Sequence, residues 1–278
     1  MIPQISIVFM GISALICIGL PITLFIIWRR KYGLQLVPVF VGIAAFILFK
    51  YILEHALHNF VLRPNEDGSF ELIKNNPWLF VLYAIVVTGV FMESARFISF
   101  YLMKSRYRGV GTGLSYGIGH AGVESVLVIG VTMTGMVLYS LMINGGDLSV
   151  IDDTPEALEQ IRIISNEFPG DFLISGLERI LSMTVSLSLS IVMICAVTLK
   201  GKVWMYPAAI GAHALATMPL VMFRANLIGS IWVAQALVLV PTALIAYWAY
   251  KVCDMFPEEE NNPPPVKKKP DTYDGPTL

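Results

Sequence analysis

Glu93, His120 and His213 are the residues of this 278-residue chain whose types and spacing could do chemistry. A carboxylate with two imidazoles can activate water, the carboxylate acting as general base and the histidines polarising a carbonyl or holding its oxyanion. The same set could bind zinc, which accepts His nitrogen and carboxylate oxygen and leaves one position for water. No H-E-x-x-H pattern occurs. A proton or ion pathway would also use buried Glu, His and Arg. Residue types alone leave peptide hydrolysis, metal chemistry and transport open.

These three stand out because of where they lie. Eleven ionisable residues interrupt otherwise apolar stretches: Lys50, Glu54, His55, His58, Glu93, Arg96, His120, Glu124, Glu178, Arg179 and His213. A charge at the bilayer centre costs at least about 3 kcal/mol on insertion scales, so such residues face the bundle interior and mark sites. At 1.5 Å rise per residue, Glu93, His120 and His213 all fall roughly 15 to 17 Å from the cytoplasmic ends of their helices, near the midplane. Helical spacing adds neighbours. Glu124 lies one turn beyond His120, Arg96 three residues after Glu93 as a counter-charge, and Thr217 four after His213. Glu178, Arg179 and Glu54 come out near the outer end, peripheral to the site unless helices tilt; Glu54, His55 and His58 read as interfacial polar residues, a second metal site being the sharper alternative. Lys50 is expected to pair with a carboxylate or snorkel.

The elements that must position these residues are membrane helices. Apolar residues make up 56% of the chain, charged residues 14%, and mean hydropathy is +0.69. That leaves too few ionic side chains to cover a water-soluble globule of this size. Seven stretches exceed the roughly 20 residues that a span needs: about 5–28, 34–61, 78–103, 110–142, 172–199, 203–223 and 226–250. The expected fold is all-α, a polytopic bundle of seven transmembrane helices over 1–253 in the cell membrane, with lipid as its surroundings. The six glycines between Gly111 and Gly130 suit a central fourth helix packed closely on its neighbours. Twelve basic residues fall on one side of the spans and four on the other, which puts the N-terminus outside and the C-terminus in the cytoplasm. The acidic loop Gly145–Asp171 then faces outward, with a short amphipathic helix expected after Asp153-Thr154-Pro155. Residues 254–278, rich in proline and mixed charge, read as a disordered cytoplasmic tail. A net charge of -1 excludes a nucleic-acid partner. Cys17, Cys195 and Cys253 lack C-x-x-C spacing and read as packing residues.

FMESARF at 91–97, GIGHAGVES at 117–125, LERI at 177–180 and AHALATMP at 212–219 resemble the YhfC family of glutamic-type intramembrane peptidases, relatives of the CAAX-protease and PrsW-like families. The resemblance covers about residues 80–220. It implies an endopeptidase acting on transmembrane or lipid-linked peptides, with Glu93 activating water, His120 assisting, His213 as an oxyanion or metal partner and Arg96 as structural counter-charge; Glu124, by its spacing from His120, is counted with the catalytic set. Thr217, Glu178 and Arg179 are supporting residues. No cofactor is expected, zinc being the alternative. Two positions depart from the family pattern. Met92 precedes Glu93 where paired glutamates are usual, and Thr217 stands where relatives often carry Asp or Asn. A catalytically silent scaffold for transmembrane helices is the alternative function, and a proton-coupled transporter the third.

Overall fold

The computed structural model describes residues 1–65, 70–146, 161–162 and 164–257. Seven helices are long and apolar enough to cross a membrane: α1 Gln4–Tyr32, α2 Leu36–Leu62, α3 Pro77–Met103, α4 Gly109–Asn144, α5 Pro169–Thr198, α6 Met205–Arg224 and α7 Ile231–Cys253. A five-residue helical turn, Glu71–Asn75, precedes α3. The described residues contain no strand, as hydrocarbon demands of a chain that must satisfy its backbone groups within each span. The chain is a multi-pass membrane protein. The helix expected after Asp153 and most of the acidic loop lie outside the described residues.

Local chemistry sets the helix ends. Gly33, in the left-handed region at φ 63°, closes α1 behind Arg29, Arg30 and Lys31. Pro77 opens α3, and the Asn76 side chain accepts from the Leu79 amide at 3.1 Å. The seventh span begins at Ile231, five residues after the hydropathy boundary, because Asn226 takes φ 56° and residues 225–230 form a turn. Past α7, Phe256 is buried in the main core cluster with Ala249 and Val252. The chain read as tail from 254 therefore starts as packed structure; residues 258–278 are outside the description.

Helix α5, not α4, is the hub. Residues 185–196 are all buried, and α5 packs against α1, α3, α6, α7 and the first half of α4. A helix buried on every side needs apolar residues all round, and its polar positions there are only serines. The glycines of α4 do bring backbones together. A Cβ on Gly119 would overlap the Val39 backbone, and one on Gly42 would overlap the Tyr116 carbonyl. These contacts lock α2 against the turn that carries Tyr116 and His120.

Two π-helical stretches interrupt this regularity, Phe46–Glu54 in α2 and Ser125–Gly130 in α4. Such stretches are rare and concentrate at functional sites. One ends on Glu54 and the other begins after Glu124.

An odd number of crossings would put the two ends on opposite faces, and the positive-inside bias makes a cytoplasmic C-terminal side the expectation. A cysteine introduced at Thr272 is expected to resist an impermeant maleimide added to intact cells and to react after lysis. Labelling in intact cells would reverse the orientation.

Candidate active site

Glu93 and Arg96, three residues apart on α3, are fully buried and ion-paired through Arg96 Nη1 and Glu93 Oε1. Arg96 Nη2 donates to Ser186 Oγ at 2.8 Å and Nε to Ser190 Oγ at 3.3 Å, both on α5. From α6, His213 Nδ1 donates to the same Glu93 Oε1 at 2.7 Å. Side chains of α3 and α6 thus meet at one carboxylate oxygen, as the matched depths of Glu93 and His213 implied, and α5 joins them through Arg96. Glu93 Oε2 is buried without a hydrogen-bond partner.

His120 is also fully buried. Its ring stacks on Tyr116 with centroids 5.5 Å apart and meets Phe46 of α2 edge-on at 5.6 Å. Tyr116 Oη lies 3.4 Å from His120 Nδ1. With the phenol donating there, the other nitrogen carries the ring proton. That nitrogen, Nε2, has no partner. His120 makes no hydrogen bond to Glu93 or His213. Thr217 Oγ1 donates back to the carbonyls of His213 and Ala214 at 3.1 and 3.2 Å, steadying the His213 turn.

A cavity of about 450 Å³ adjoins this cluster, with Met92, Arg96, His213 and Thr217 on its wall. Its other walls correct the sequence reading of the outer residues. Glu54, expected at the interface, is fully buried, and with Lys50, His58, Glu178 and Arg179 it lines the same cavity as His213. None of these is peripheral. Lys50 pairs with Glu54 at 2.5 Å, as expected of it. Glu124 turns to α5, where Arg179 Nη1 donates to it at 3.3 Å and Arg179 Nη2 donates to Glu178. Glu124 so belongs to a second ionic cluster on the wall of the same cavity, one turn from His120 along α4.

Sequence reasoning missed Ser186, Ser190, Tyr116 and Thr88. A signal existed for the serines: they stand four apart, on one face of an otherwise apolar helix, as an arginine's partners would. Tyr116 is likewise four residues before His120. Nothing in the spacing marks Thr88, which bonds Glu54 across helices.

A catalytic zinc needs about three protein ligands around one point. Among the described residues, no three His, Cys, Asp or Glu side chains are grouped to hold a metal ion. Glu93 Oε1, the oxygen beside His213, is taken up by the Arg96 guanidinium. As placed, these side chains do not fit a resident zinc.

A seven-helix membrane bundle with a buried Glu, Arg and His joined at its centre defines a polytopic protein with an intramembrane polar site. The family described as YhfC intramembrane metalloprotease matches residues 15–238, and the chain belongs to it. Over 260 residues it is 29% identical to Uncharacterized membrane protein YhfC of Bacillus subtilis (strain 168), covering 92% of this chain and 100% of that protein. No solved structure matches the chain. The family's description supports a protease at the level of class, whatever its catalytic type.

Proposed function

We propose that this protein is an intramembrane endopeptidase in which Glu93 activates water against a peptide bond of a membrane-embedded or lipid-linked substrate. The observation that carries this reading is the pair of buried atoms without partners, Glu93 Oε2 and His120 Nε2, the first a proton acceptor and the second a donor in the tautomer where Tyr116 donates to Nδ1. Arg96 and His213 hold Oε1 and so fix the direction of Oε2. A water proton passes to Oε2 while the water oxygen bonds to the scissile carbonyl carbon. The carbonyl electron pair moves to its oxygen, which His120 Nε2–H stabilises. Collapse breaks the C–N bond, and Glu93 returns the proton to the leaving amine.

A catalytically silent scaffold is the second reading. It is favoured by Met92, not a glutamate, lining the cavity beside Glu93.

The test is purified protein incubated with a panel of transmembrane peptides, with fragments identified by mass spectrometry. Wild type should cut at least one, and His120→Ala and His213→Ala should each slow it by about 10²-fold. Turnover should survive a zinc chelator; its loss would assign the chemistry to a metal. Failure to cut any peptide would put the scaffold reading ahead.

A further inference from the structure

The cavity beside His213 carries two buried polar atoms that the Glu93 chemistry leaves unused. On α2, Glu54 Oε1 accepts from Lys50 Nζ at 2.5 Å, Thr88 Oγ1 at 2.7 Å and His58 Nε2 at 3.2 Å. Its Oε2 has no partner, although the side chain is only 1% exposed. On α5, both terminal nitrogens of Arg179 are engaged by Glu124 and Glu178, while Nε has no partner in a side chain 9% exposed. Both residues line the one cavity. Each of these two wall residues thus keeps one unpartnered polar atom, an acceptor on one helix and a donor on another.

Burying such groups without partners is costly, so their persistence in a ligand-sized cavity points to a ligand that supplies both. Neither calls for a charged ligand, since Lys50 already offsets Glu54 and two glutamates offset Arg179. A peptide main chain is a neutral ligand of this kind, with one N–H and one C=O. A helical peptide cannot serve, because its N–H and C=O groups are bonded to each other. An unwound segment has the groups free, and in hydrocarbon it must find partners for them.

We infer that Glu54 Oε2 and Arg179 Nε hold the main chain of an unwound peptide segment next to the Glu93 site, as positioning residues. The inference rests on the peptidase reading for its choice of a peptide, but its test reads binding alone. The full-length protein in lipid nanodiscs is titrated into a fluorescent transmembrane peptide with a central Gly-Gly pair, and into versions N-methylated at single central residues. N-methylation deletes one main-chain N–H. At one position it should weaken binding to wild type about tenfold, as loss of a hydrogen bond to a charged group implies. In Glu54→Gln, where an amide donor replaces the acceptor, the same methylation should cost under about twofold. A structural role for Glu54 would shift all the peptides together and leave that penalty intact.

Should Glu54→Gln not fold, Arg179→Lys keeps the charge beside Glu124 and Glu178 but lacks Nε. Peptides with an ester at one central bond, a weaker carbonyl acceptor, then complete the same cycle. No saturable binding by wild type, or a penalty unchanged in the variant, overturns the inference. Binding with this coupling but no cleavage would remove the peptidase reading and leave the subsite standing. Cleavage without coupling would do the reverse.

Discussion

Glu93→Gln is expected to lower peptide cleavage by about 10³-fold, within the 10²–10⁴ range typical of a lost general base. The amide oxygen can still accept from Arg96 Nη1 and His213 Nδ1, the two bonds that orient this side chain. What disappears is the acceptor at Oε2, because an amide nitrogen cannot take a proton from water. The substitution also leaves Arg96 without its counter-charge, so folding has to be measured beside turnover. Glu93→Asp separates the two effects. It keeps the charge but draws the carboxylate back by one methylene, and should fold like wild type while losing much of its rate to misplacement. Turnover near wild type in folded Glu93→Gln would remove Glu93 from the chemistry.

The second large effect concerns folding. Arg96→Ala is expected to destabilise the bundle by about 3–5 kcal/mol, the range for removing one partner of a buried ion pair. Glu93, Ser186 and Ser190 would each lose a donor together, at the junction of α3, α5 and α6. The readout is the monodisperse fraction in detergent and the midpoint of thermal unfolding. The double variant Glu93→Leu with Arg96→Met should recover most of the loss, since apolar residues of similar volume often replace a buried pair without cost. It would be inactive. An unfolding midpoint for Arg96→Ala equal to wild type would show that the pair does not hold these helices together.

The seven spans were legible because hydrocarbon thickness imposes length and apolarity directly on the sequence. The partnership of Glu93 with His213 was legible through depth, which counts residues and needs no knowledge of helix rotation. Rotation was not legible. Glu124 shares a face with His120 by spacing, yet its ionic partner is Arg179 on α5, and no rule of spacing within α4 could choose among neighbouring helices. Glu54 read as interfacial because residue counting put it near the outer end of its span, and counting does not tell which way a side chain faces, least of all through the π-helical stretch 46–54. Glycine content pointed to α4 as the centre. The glycines mark how closely α4 approaches its neighbours, whereas centrality follows from how many neighbours a helix has, and α5 has more.

The π-helical stretch in α2 makes chain length a constraint of its own. Ile47, Leu48, Ile52 and Leu53 are all exposed on the outside of the bundle, so other apolar residues can stand in for them with little consequence. Their number is another matter. Upstream, Gly42 is fixed against Tyr116; downstream, Glu54 is fixed by Thr88 of α3. Deleting one residue between these anchors would rewind the stretch toward α geometry and turn all that follows by about 100°, carrying Glu54 off the cavity wall. The segment is thus tolerant of spelling and intolerant of insertions or deletions, the reverse of an ordinary surface loop.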